Sequence, residues 1–171
     1  TYTVTITDAN GCSDTETVII TEPAVLAAST SMDLSVTCNG LSNGGATASA
    51  TGGTGAYTFS WSTSTSSATF ATTASITGFA AATYTVTITD ASGCTDTETA
   101  TITEPLVLVA SIVIDASVTC NGLSDGGATA SANGGTGVYT YAWFTSTSSA
   151  IFATTASITG VAAETYFVTT T

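Results

Sequence analysis

Apolar and polar residues alternate along much of this chain. In Thr83-Tyr84-Thr85-Val86-Thr87-Ile88-Thr89 the large side chains Tyr84, Val86 and Ile88 fall on one face and four threonines on the other. That is the period of two expected of a strand with one buried and one wet face. Ala56-Tyr57-Thr58-Phe59-Ser60-Trp61-Ser62 repeats the pattern, with Tyr57, Phe59 and Trp61 opposite Thr58, Ser60 and Ser62. Threonine suits the wet face because it is β-branched and still hydrogen-bonds water. Further strands are predicted at about 25–31, 34–38, 45–51, 68–71, 73–77 and 96–103. Between them lie Asn39-Gly40, Asn43-Gly44-Gly45, Gly52-Gly53-Thr54-Gly55 and Asp90-Ala91-Ser92-Gly93, residues that tolerate the positive φ of tight turns. No window carries a helical stripe. Short strands separated by turn signals predict an all-β fold, a two-sheet antiparallel sandwich.

The pattern recurs at an offset of 82: Tyr2/Tyr84/Tyr166, Cys12/Cys94, Glu22-Pro23/Glu104-Pro105, Cys38/Cys120 and Trp61/Trp143. A period this long exceeds a solenoid repeat and matches a small autonomous domain, so the expected architecture is a tandem array of beads. The Glu-Pro pair is the natural boundary, since proline cannot continue a central ladder and pushes its predecessor into an extended conformation. The expected domains are 1–23, the C-terminal strands of a truncated repeat; 24–105, a complete repeat; and 106–171, a repeat lacking its last strand. Short, proline-bearing junctions favour a semi-rigid rod.

Charge narrows the functional classes. The 171 residues contain no Lys, Arg or His and 12 Asp plus Glu, a formal net charge of −12. Nucleic-acid binding needs cations against phosphate, so it is set aside; attraction to an anionic membrane surface goes with it. The longest apolar run, Leu106 to Ile114, is broken by Ser111 and too short to span a bilayer, so no direct membrane insertion is expected. Without an initiator Met, and opening inside a strand pattern, the chain reads as a piece of something longer.

Each repeat carries one pair of cysteines, without the histidines or Cys-x-x-Cys spacing of a zinc site. A Lys-free, threonine-rich array belongs outside the cell, where disulfides persist. Cys38–Cys94 would staple one domain to itself, whereas Cys12–Cys38 with Cys94–Cys120 would staple neighbours; loop entropy does not choose between them, and the self-contained pairing is the expected one. Asp8-Ala9-Asn10-Gly11 with Asp14 and Glu16 has the oxygen-rich look of a calcium loop, but a hairpin turn followed by water-facing strand residues explains it too, and no cofactor is expected. Tyr57, Trp61, Tyr139 and Trp143 read as core aromatics of alternating strands ahead of a sugar-stacking platform. Tyr84 and Tyr166, at the start of a strand after Gly78 and Gly160, read as buried tyrosines whose hydroxyls tie down a corner. A nucleophilic serine needs a base, and His and Lys are both absent. Carboxylates at turns and strand ends make a poor glycosidase pair. The chain is therefore not expected to be an enzyme.

Ser35-Val36-Thr37-Cys38-Asn39-Gly40-Leu41-Ser42-Asn43-Gly44-Gly45-Ala46-Thr47-Ala48, followed by Gly52-Gly53-Thr54-Gly55-Ala56-Tyr57-Thr58-Phe59-Ser60-Trp61, resembles the SprB-type repeat of Bacteroidetes cell-surface adhesins. Ser117 to Trp143 keeps the pattern with Asp125 at the position of Asn43, and Gly78 to Cys94 is similar to the end of the same module, which echoes PKD-like Ig folds. The family's usual glycine before Thr-Tyr is Ala82 or Glu164 here, a departure at a turn. The resemblance implies tandem Ig-like domains in a long secreted filament, exported by type IX secretion, attached at the outer membrane of a bacterial cell surface and tied to gliding motility and adhesion. Partners so implied are neighbouring repeats, like filaments and possible surface polysaccharide. No catalytic or ligand residues come with the pattern. The competing reading is a repeat module that grips polysaccharide or, through its outward threonines, ice.

Overall fold

A computed structural model describes all residues from Thr1 to Thr171, and every regular element in it is a strand. In chain order these are β1 (Tyr2–Thr7), β2 (Ser13–Val18), β3 (Ala27–Leu34), β4 (Gly44–Thr51), β5 (Thr58–Thr63), β6 (Ser66–Ala71), β7 (Ser75–Phe79), β8 (Ala82–Thr89), β9 (Thr95–Ile102), β10 (Val109–Ala116), β11 (Gly126–Asn133), β12 (Tyr141–Thr145), β13 (Ser148–Ala153), β14 (Ser157–Val161) and β15 (Tyr166–Thr170). No helix is long and apolar enough to cross a membrane.

The sheets are β1-β2, β3-β4-β7, β6-β5-β8-β9, β10-β11-β14 and β13-β12-β15. The same three-stranded order therefore occurs twice, and β13-β12-β15 repeats β6-β5-β8. The pairings are antiparallel, as in Trp61↔Val86 between β5 and β8 and Trp143↔Val168 between β12 and β15.

The chain divides into two compact units, one of Thr1–Ser31, Thr47–Ile76 and Thr83–Ala100, the other of Met32–Ala46, Thr77–Ala82 and Thr101–Thr171. Strands β3, β4, β7, β8 and β9 each have residues in both. In the second unit Ala130, Trp143 and Ile158 form a buried cluster, against which Ala128, Tyr141, Ala153, Val161, Tyr166 and Val168 pack. These side chains come from β11 and β14 on one sheet and β12, β13 and β15 on the other, so the two sheets form a sandwich around Trp143. The first unit buries Trp61, Ile76, Tyr84, Val86 and Ile88, inward positions of the alternating strands. On β8 burial alternates residue by residue, which is what the period of two demands.

One stretch departs from the expected strands. Instead of two strands at 25–31 and 34–38, a single strand β3 ends at Leu34, and Ser35–Asn43 is irregular. Val36 is nevertheless buried, its N–H donating to the Thr103 carbonyl at 2.9 Å. Burial accounts for its apolar side chain without a strand, and the chain turns two residues further on, where the Leu41 N–H donates to the Cys38 carbonyl at 3.2 Å.

Close backbone approach decides two glycine positions. Gly52 has φ +74°, and a methyl there would overlap the Val25 carbonyl; Gly134, at +79°, stands in the same relation to Val107. The next residues complete the contact, Gly53 N–H to Ala24 carbonyl and Gly135 N–H to Leu106 carbonyl, each 2.8 Å. These clasps hold the first residues after each Glu-Pro pair against the β4–β5 or β11–β12 loop.

Candidate functional site

The Asp90-Ala91-Ser92-Gly93 turn is organised by one carboxylate. Asp90 is a buried acidic residue; its Oδ1 accepts the N–H groups of Ser92 and Cys94, both at 2.9 Å, and its Oδ2 accepts the Thr54 N–H at 2.8 Å and the Thr54 hydroxyl at 3.2 Å. Asp90 N–H to Cys94 carbonyl, 2.9 Å, closes the hairpin. Desolvation pushes the Asp90 carboxyl upward, but the N–H donors of Thr54, Cys94 and Ser92 with the Thr54 hydroxyl outweigh it and hold the group below its ordinary value. Asp8 closes the β1–β2 hairpin with similar bonds, its Oδ1 accepting from Asn10 N–H at 2.9 Å and Cys12 N–H at 2.8 Å. In the segment that resembled a calcium loop, one oxygen each of Asp8 and Asp14 accepts from backbone N–H groups. Asp96 is engaged as well: its Oδ2 accepts the Ala28 N–H at 2.8 Å, and that bond with the Thr97 N–H lowers its pKa. No group of three or more Cys, Asp or Glu side chains is placed to hold a metal.

A cleft of about 290 Å³ adjoins the Asp90 hairpin, and its walls include Glu22, Pro23, Val25, Asp90, Ser92 and Cys94. The residues that precede β3 and the hairpin cysteine therefore meet at one place.

The Cys38–Leu41 turn meets the other Glu-Pro pair. Asn39 Nδ2 donates to the Pro105 carbonyl at 3.0 Å, and Gly40 N–H donates to Glu104 Oε2 at 2.7 Å. Asn43 braces the turn from inside, accepting the Thr37 N–H at 3.1 Å and donating to the Thr37 hydroxyl at 2.7 Å. In the second copy Asp125 takes that place, accepting the Thr119 N–H at 3.0 Å and the Thr119 hydroxyl; the hydroxyl first, then the N–H, keep its carboxyl below the ordinary range. Sequence reading missed this clamp on Glu104-Pro105. Its signal was present, because Asn-Gly and Glu-Pro recur with the same period, but nothing local connects residues 64 or more positions apart.

All four cysteines, Cys12, Cys38, Cys94 and Cys120, are exposed free thiols. The expected Cys38–Cys94 bridge is not formed, and β9 explains why. Cys94 immediately precedes β9, whereas the turn after Cys38 is bonded to Glu104 and Pro105, which follow it. Eight extended residues span about 26 Å, and a disulfide requires Cα atoms within about 7 Å. The alternative Cys94–Cys120 is not formed either.

Of the aromatic candidates Trp61, Trp143 and Tyr84 are buried, whereas Tyr57, Tyr139 and Tyr166 are half-buried. Trp61 and Trp143 are 0 % exposed, and their indole N–H groups donate to the carbonyls of Thr73 and Thr155, each at 2.9 Å. Tyr57 donates to the Gly52 carbonyl at 2.6 Å and Tyr139 to the Gly134 carbonyl at 2.7 Å. Tyr84 is buried, which pushes its hydroxyl pKa up, and it meets Phe70 edge-on at 5.8 Å. Tyr166 meets Phe152 in the same way at 5.7 Å and donates to the Ala162 carbonyl, four residues back, at 3.0 Å. The hydroxyls of Tyr57, Tyr139 and Tyr166 and both indole N–H groups are spent on the backbone.

An apolar cleft of about 440 Å³ lies in the second unit among Ile112, Ile114, Gly126, Trp143, Val161 and Tyr166. At Gly44, the counterpart of Gly126, the adjoining space is taken by the Ile102 side chain at the end of β9.

A repeated all-β sandwich whose polar side chains serve its own turns defines a structural repeat module. Residues 35–66 and 114–148 match the SprB repeat family, so two segments of the chain are similar to that repeat. The matched segments include the Cys-Asn-Gly turn, the Gly-Gly opening of β4 or β11, and the buried tryptophan. SprB repeats are structural repeats of cell-surface proteins. A comparison with curated proteins finds no match.

Proposed function

We propose that this chain is a stalk segment of a long secreted adhesin filament, attached at a bacterial outer membrane, in which tandem Ig-like sandwiches 24–105 and 106–171 project a distal adhesive element and take no part in catalysis. The observation that carries this reading is the duplication itself. Two copies of one sandwich repeat the same internal bonds, tryptophan to Thr73 or Thr155 and tyrosine to Gly52 or Gly134. Side chains committed to such bonds keep a domain rigid and leave few groups to hold a ligand. The partners of each repeat in this reading are its neighbours in the chain. A net charge of −12 without a single basic residue adds mutual repulsion between adjacent filaments.

The test is a pair of measurements on the whole chain. Single-molecule pulling is expected to give discrete, high-force unfolding of each complete sandwich, and a glycan array is expected to stay blank. Micromolar or tighter glycan binding, or ice recrystallisation inhibition, would overturn the stalk reading in favour of a ligand-binding repeat.

A further inference from the structure

We propose that in a tandem array Cys38 forms a disulfide with the hairpin cysteine of the following repeat, the counterpart of Cys94, so that a covalent staple closes each Glu-Pro junction. Two observations from different places in the chain carry this. Cys38 opens the turn whose next two residues hold Pro105 and Glu104, at 3.0 and 2.7 Å. Cys94 shares the walls of one cleft with Glu22 and Pro23. Glu22-Pro23 and Glu104-Pro105 are the same element 82 positions apart. A Glu-Pro pair between consecutive repeats is therefore flanked on one side by the cysteine turn of the repeat it ends, and on the other by the hairpin cysteine of the repeat it begins.

Both thiols are exposed, and both sit in backbone held by short bonds. Cys94 is fixed through its N–H to Asp90 Oδ1 and its carbonyl to Asp90 N–H, each 2.9 Å; the Cys38 carbonyl accepts the Leu41 N–H at 3.2 Å. In the repeat that follows Pro105, the counterpart of Cys94 falls five positions beyond Thr171, so this chain holds one half of the staple. The chemistry is thiol–disulfide exchange with a small-molecule disulfide: one thiolate attacks it to give a mixed disulfide, the second thiolate displaces the remaining half, and the reagent leaves as two thiols carrying the two electrons.

The staple rests on the stalk reading only in needing consecutive repeats in one chain. It is tested on the full chain lengthened after Thr171 by a second copy of Asp90–Pro105, which adds one cysteine in the required register. The lengthened chain is equilibrated with glutathione disulfide, its fold checked by the fluorescence of Trp61 and Trp143, and its bridges mapped by non-reducing mass spectrometry after digestion with a protease that cuts beside aromatic or acidic residues. The expected result is one dominant linked peptide joining Cys38 to the added cysteine, with Cys12, Cys94 and Cys120 open to alkylation. Cys38→Ser abolishes the linked peptide and Cys120→Ser leaves it. A folded chain in which Cys38 is alkylated, or is bridged to Cys12, Cys94 or Cys120, overturns the staple and leaves the stalk standing. Glycan binding by the same chain overturns the stalk whatever the bridge.

Discussion

Gly44 and Ile102 provide a sharp test of how β9 is held. Ile102 is 1 % exposed, and a methyl on Gly44 would overlap its Cγ2, with the carbonyls of Phe79 and Leu34 at 3.1 and 3.3 Å. Ile102→Ala removes three buried carbons, about 2.4 kcal/mol at 0.8 each, and the cavity raises the cost to about 3 kcal/mol. Gly44→Ala overpacks the same spot and is expected to cost about 2 kcal/mol. The double variant places the new methyl in the space the isoleucine vacated, so it should cost about 3.5 instead of 5 kcal/mol, a coupling of about 1.5. Ile102→Val keeps Cγ2, so Ile102→Val with Gly44→Ala should show no such relief. The assay is urea unfolding followed by Trp61 fluorescence in a Trp143→Phe background, where a domain of this size has about 4–12 kcal/mol to lose. Strict additivity in the alanine cycle, or equal relief in the valine cycle, would refute the packing argument.

Other outcomes follow from the same geometry. Gly52→Ala and Gly134→Ala combine positive φ with overlap of a carbonyl and should each cost about 2–3 kcal/mol, whereas Gly93→Ala, at φ +86° with open space around it, should cost about 1; equal losses in thermal melts would discount the close approach. Asp96 has its pKa lowered by the Ala28 and Thr97 N–H groups, so the stability it adds is complete above the unfolded value of about 4 and fades as pH falls through its folded pKa. The gap in urea midpoint between the parent chain and Asp96→Asn should accordingly be constant from pH 7 to about 5 and close below about 4; a gap that widens in acid would reverse the assignment. With no Lys or Arg, trypsin should leave even the urea-unfolded chain whole on a denaturing gel, and fragments there would sink the idea that composition confers resistance to such proteases.

Local pattern was enough to read strand character at β5 and β8, because alternation of Tyr, Phe, Trp, Val and Ile with Thr and Ser is a property of neighbouring residues. The period of 82 was likewise visible in the chain itself, as was the similarity to the SprB repeat, since the Cys-Asn-Gly turn and the Tyr-x-x-x-Trp spacing are written in order. Where Val36 belongs was not legible: its apolar character suited a strand, yet a single backbone bond to Thr103, 67 positions on, places it in an irregular segment. The role of Asp90 was also hidden, because an acidic turn looks the same from sequence whether its oxygens face a cation or the N–H groups of Thr54, Ser92 and Cys94. Cysteine pairing shows the divide most plainly. Loop entropy depends on the number of residues between two thiols and made every pairing comparable, but a bond needs them within a few ångströms, and only the course of β9 puts Cys38 and Cys94 a strand's length apart.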